Sequence, residues 1–170
     1  MRSARILAIF LFGLNAFAQG HPLKIDLKGI RDLAPKGRMQ DKEYNPNQPI
    51  VDQLIAVGPS SLEYLVSKLE DETPINHHVL DYWQNVCVGD VAFLALADLT
   101  TTSDWQHYTV EPGLWSLVPK SAAQPAWQAW SDFVEKVGRA EIRRRVQTIL
   151  KLDSRHFTWD RKESCFRPTP

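Results

Sequence analysis

An all-α fold is predicted for this chain: a small bundle of about five helices, with an extended arm before it and a strap after it. Apolar residues recur at three- and four-residue spacing in the stretches 49–57, 59–69, 90–99, 123–137 and 139–152. Gly58 and Gly138 stand where two of these stretches end, the usual place for a helix-terminating glycine. Strand-type alternation is confined to Leu23-Ile25-Leu27, which has Lys-rich flanks and no evident partner.

The first eighteen residues have another character. Arg2 and Arg5 precede an apolar run from Ile6 to Phe12 that continues from Leu14 to Phe17, and Ala16-Phe17-Ala18 supplies a small-x-small pattern. This is the order of a cleavable export signal, with cleavage expected between Ala18 and Gln19. The run is too short for a spanning helix, which needs about 20 apolar residues. No cysteine follows it directly, which speaks against a lipid anchor. The expected organisation is therefore a signal over 1–18, an extended arm over 19–48 and one helical domain over 49–170, exported to the periplasm or the medium.

The chain has 170 residues, with 20 basic and 20 acidic side chains. That length fits one domain with a real core. A neutral balance gives no electrostatic footprint for nucleic acid or for an anionic membrane, and no stable membrane insertion is expected once the signal is gone. The run Arg143-Arg144-Arg145 reads as a solvated helix face. Export would permit Cys87 and Cys165 to form a disulfide that closes a long loop; the alternative is one buried and one exposed thiol.

Each element has a local reason. Residues 19–48 are polar and broken by Pro22, Pro35 and Pro46, hence the arm. Pro49 suits the first position of a helix, and Ile50, Leu54 and Val57 share a face. After the hinge at Gly58, Leu62, Leu65, Val66 and Leu69 form the next stripe. Asp90 is placed to cap a helix whose small residues Ala92 and Ala95 favour close packing. Residues 100–119 lose periodicity, and Glu111-Pro112-Gly113 marks a turn between Tyr108 and Trp115. Trp127, Trp130, Phe133, Val134 and Val137 make a broad aromatic stripe, and Ile142, Val146, Ile149 and Leu150 another face. The tail from Arg155, with Phe157, Trp159 and Phe166, reads as an extended strap.

The run from Leu54 through Gly58-Pro59-Ser60 to Leu69-Glu70-Asp71 resembles a HEAT-type helical repeat: an apolar helix, a Gly-Pro turn, then a Leu-rich helix closing in an acid. The stretch from Val88 to Thr100 resembles the first helix of another such unit. The resemblance implies a HEAT-like or irregular bundle that works by binding proteins. The tail, with Trp159-Asp160 and Cys165-Phe166, is similar to that of small uncharacterised secreted bacterial proteins, and this implies no activity.

For chemistry, His77 and His78 stand out, with Asp81 at helical spacing from both and His107 or Asp104 available from the long loop. Zinc needs three or four fixed ligands, and no HExxH signature is present, so no metal or other cofactor is assigned. There is no nucleophile elbow and no phosphate-binding glycine loop. The first reading is thus an exported, non-enzymatic module that binds another protein, with His77, His78, Asp81, Trp83, Trp105 and Trp115 as its contact surface. A secreted hydrolase or metal-dependent enzyme using His77, His78, Asp81 and His107 is the second, and a periplasmic inhibitor or immunity-type protein the third.

Overall fold

The computed structural model describes residues 24–30, 48–77, 79, 86–102, 107–119 and 125–169. Among them are the helices α1 (Gln48–Val57), α2 (Ser60–Lys68), α3 (Val88–Leu99), α4 (Ala126–Val137) and α5 (Arg139–Leu150), and a hairpin of β1 (Phe157–Asp160) and β2 (Cys165–Pro168). The fold is mostly helical but not all-α. The predicted strap is an antiparallel pair, with Phe157 opposite Pro168 and Asp160 opposite Cys165. Its turn is held by Asp160, whose Oδ1 accepts the Lys162 and Glu163 backbone N–H groups at 2.9 and 3.2 Å. Ser164 adopts φ 50°, which turns the chain into β2. Helical periodicity gave no hint of this pairing because a four-residue strand shows only two residues per face.

The α1–α2 joint follows the sequence. Gly58 takes φ +75°, a conformation that suits glycine, and its N–H bonds the Ile55 carbonyl at 3.0 Å. Ser61 is buried in the first turn of α2 and donates its hydroxyl to the Gly58 carbonyl at 2.7 Å.

Helix α3 is the centre of the molecule. All twelve of its residues are buried, so it is enclosed on every side rather than packed along one small-residue face. Tertiary contacts reach it from α2, from the hairpin strand β2 and from two 3₁₀ turns, Leu27–Gly29 and Leu114–Leu117. Trp130 of α4 stacks on Phe93 of α3 with ring centroids 4.0 Å apart, and Trp115 meets Phe93 edge-on at 5.2 Å. Trp127 is half-buried against the same core. Helix α4 begins at Ala126, after Pro125, rather than at residue 123.

The disulfide expectation is overturned: Cys87 and Cys165 are both buried and no bond joins them. Cys87 occupies the N-cap of α3 and Cys165 the start of β2. A disulfide demands a narrow Cβ geometry that a mere pair of cysteines does not guarantee. The arginine run is paired with acids, Arg143 with Glu70 at 2.9 Å and both Arg144 and Arg145 with Glu141 at 2.7 Å.

Candidate functional site

Two loops carry the contact residues expected from the sequence, and both are closed at their bases. Around the first, Ile75 N–H bonds the Val86 carbonyl at 2.8 Å and Val88 N–H bonds the Thr73 carbonyl at 3.0 Å. This joins 73–75 to 86–88 at the start of α3. Val79, between these two stretches of chain, is fully buried. Around the second, Thr102 N–H bonds the His107 carbonyl and Thr109 N–H the Thr100 carbonyl, both at 2.9 Å, at the end of α3. The hydroxyls of Thr100 and Thr101 donate back to Leu96 and Ala97 carbonyls at 2.7 and 2.6 Å, which fixes that base to the helix. The two loops are therefore rooted at opposite ends of a twelve-residue helix, about 18 Å apart.

Of the expected contact residues, His77 and Trp115 are described and both are half-buried; His78, Asp81, Trp83 and Trp105 lie outside the described residues, as does Asp104. His77 Nε2 lies 3.1 Å from the Ile30 carbonyl, so its ring is engaged with the N-terminal segment. Trp115 faces inward onto Phe93. His107 is exposed, and its backbone N–H bonds the Thr102 hydroxyl at 3.1 Å. Beside it Tyr108 is 41% exposed, more than any other large apolar side chain described. Its ring lies over Gly113, where an added Cβ would come within 2.2 Å of the Tyr108 ring. Among the described residues no cluster of three or more His, Cys, Asp or Glu side chains is arranged to hold a metal ion.

A buried and heavily engaged ionisable group lies elsewhere, at the start of α3. Asp90 Oδ1 accepts from Trp130 Nε1 and from Arg139 Nη2, each at 2.9 Å, and its Oδ2 accepts the Cys87 backbone N–H at 2.8 Å. The side chains of Arg139 and Asp90 are only 15% and 10% exposed. Gly89 lets Leu69 come close, since a Cβ there would lie 2.5 Å from the Leu69 carbonyl oxygen. The thiol of Cys87 is pushed up to about 11, first by burial and then by the Asp90 carboxylate. It stays protonated at neutral pH and is a poor nucleophile. Both carboxylate oxygens of Asp90 are thus taken up by donors of the fold itself. This is a structural hub tying α3, α4 and α5 together.

The sequence sets Asp90 ahead of the helix as its cap; in the structure α3 starts at Val88, Cys87 is the N-cap, and Asp90 sits at the third helical position, from which its carboxylate reaches back to the Cys87 N–H. Its partners Trp130 and Arg139 were not legible, because they lie 40 and 49 residues away in sequence. Comparison of the chain with protein-family models, with curated proteins and with solved structures finds no match.

Proposed function

We propose that the protein is an exported, non-enzymatic interaction module that binds another protein through the loop over residues 100–119. The observation that carries this reading is Tyr108, a large aromatic side chain held 41% exposed on a loop fixed to the end of α3. A rigid, half-exposed tyrosine offers contact area at low entropic cost, which is what interface anchors supply. Of the residues in the enzymatic reading, His77 is engaged with the Ile30 carbonyl, which weakens that reading for it. The Gly58 joint between α1 and α2 supports the helical-repeat resemblance, and the first eighteen residues support export.

The test places a photo-crosslinking amino acid at position 108 in the full-length precursor, expressed in a bacterial host, and at exposed Lys162 as control. A discrete adduct formed from position 108 alone, and competed by purified wild-type protein, is expected. Absence of a competed adduct overturns the contact assignment. The same preparation gives an intact mass, expected to begin at Gln19.

A further inference from the structure

Residues 24–30 are attached to the helices in an unusual way. Ile25, Leu27 and Ile30 are buried, while Lys24 before them and Asp26, Lys28 and Gly29 between them are exposed. The segment's described backbone hydrogen bonds are its own: Gly29 N–H to the Asp26 carbonyl at 3.3 Å and Ile30 N–H to the Leu27 carbonyl at 3.1 Å. Asp26 Oδ1 accepts the Lys28 N–H at 3.0 Å, completing a self-contained turn. Among the described residues, no backbone–backbone bond ties this turn to the body.

What does tie it are two side chains of the body acting on the two ends of the segment. Tyr64 of α2 donates its hydroxyl to the Ile25 carbonyl at 2.6 Å, and His77 lies 3.1 Å from the Ile30 carbonyl. Between these points Leu27 and its turn pack on α3, and Gly29 lies against Ile50 of α1, where a Cβ would come within 2.8 Å of Ile50 Cδ1. Side-chain grips on main-chain carbonyls at either end of the 3₁₀ turn hold the segment regardless of its sequence. The apolar pockets between them supply selectivity. That division of labour is how proteins bind peptides.

We propose that this surface of α1, α2 and α3 is a peptide-binding site for a segment with apolar residues at i, i+2 and i+5, and that the chain's own residues 24–30 are its resident occupant. The trans partner this chemistry fits is a second copy of the chain, which carries the same apolar pattern at Ile25, Leu27 and Ile30. The site is independent of the loop at Tyr108, so loss of the crosslink there leaves it untouched.

The experiment keeps the folded protein. A site-specific protease sequence replaces residues 36–41 of the full mature chain, which is purified, cleaved and mixed with a fluorescein-labelled synthetic peptide of residues 22–32. The severed N-terminal fragment is expected to co-elute with the body on gel filtration, and the labelled peptide to replace it saturably, read by anisotropy. A peptide with Leu27→Ser and Ile30→Ser is expected to bind at least about tenfold more weakly, having lost two apolar anchors. Tyr64→Phe in the body is expected to weaken the unaltered peptide about fivefold, the effect of one lost hydrogen bond. Two results would overturn the proposal. One is a labelled peptide that never enters. The other is a body that loses its helical circular dichroism as the fragment leaves, since 24–30 would then be an integral part of the core.

Discussion

Asp90 and Glu141 do the same chemistry in opposite surroundings. Each carboxylate collects three donors: Trp130, Arg139 and the Cys87 backbone for Asp90, and Arg144 through two nitrogens with Arg145 for Glu141. Asp90 is enclosed between three helices and joins residues far apart in sequence. Glu141 lies on the open side of α5, bonded within one turn of its own helix to an Arg144 side chain that is 67% exposed. Water competes for every bond at Glu141 and for almost none at Asp90. The contrast teaches that the hydrogen-bond count of a carboxylate says little about its weight in the fold; the weight comes from what remains unsatisfied when it is removed.

The most damaging test of this contrast is Asp90→Ala. It strands a buried guanidinium and an indole N–H together, and a loss of about 3–5 kcal/mol is expected from urea unfolding. Next is Gly89→Ala, whose methyl group would meet the Leu69 carbonyl and Arg139; overpacking of this kind costs about 1–3 kcal/mol. Trp130→Phe keeps the stack on Phe93 but leaves Asp90 one donor short, and about 1 kcal/mol is expected.

The thiols sharpen the picture by kinetics. With Cys87 at about 11 and both sulfurs buried, neither cysteine should react with iodoacetamide in native protein at pH 7. Both should be alkylated in urea without reductant. A denatured, unreduced protein that stays unalkylated would restore the disulfide.

Glu141→Gln should change least, leaving the urea midpoint at pH 7 within measurement error. The Arg144 and Arg145 guanidiniums, Arg144 foremost, hold Glu141 at about 2, below its ordinary 4.5. Because the folded value is depressed, whatever Glu141 contributes is present above pH 4.5 and is lost as pH falls toward 2. A midpoint shift as large as that of Asp90→Ala would break the comparison.

The elements most legible in advance were those whose cause is local. The hinge at Gly58, the end of α4 at Gly138 and the aromatic stripe of Trp130 and Phe133 are all consequences of neighbours within a turn or two. The described parts of the expected loop, 100–102 and 107–119, are likewise irregular, though pinned by threonine hydroxyls and by a 3₁₀ turn that no periodicity announces. The two halves of the expected contact surface came out rooted at the two ends of α3, which a list of polar and aromatic residues had no means of separating.

By itself the sequence determined which stretches are helical and that two of them end at Gly58 and Gly138, because these follow from backbone preference and side-chain spacing over a few residues. It ran the last helix to 152, whereas α5 ends at Leu150 with Lys151 left-handed. Only the tertiary structure decided that α3 is enclosed on all sides, that the tail closes as a hairpin, that Asp90 finds Trp130 and Arg139, and that residues 24–30 are gripped by Tyr64 and His77. Those outcomes depend on which surfaces meet across long chain separations. Meeting is governed by shape, burial and the satisfaction of polar groups in the folded whole, none of which is a property of any short run of residues.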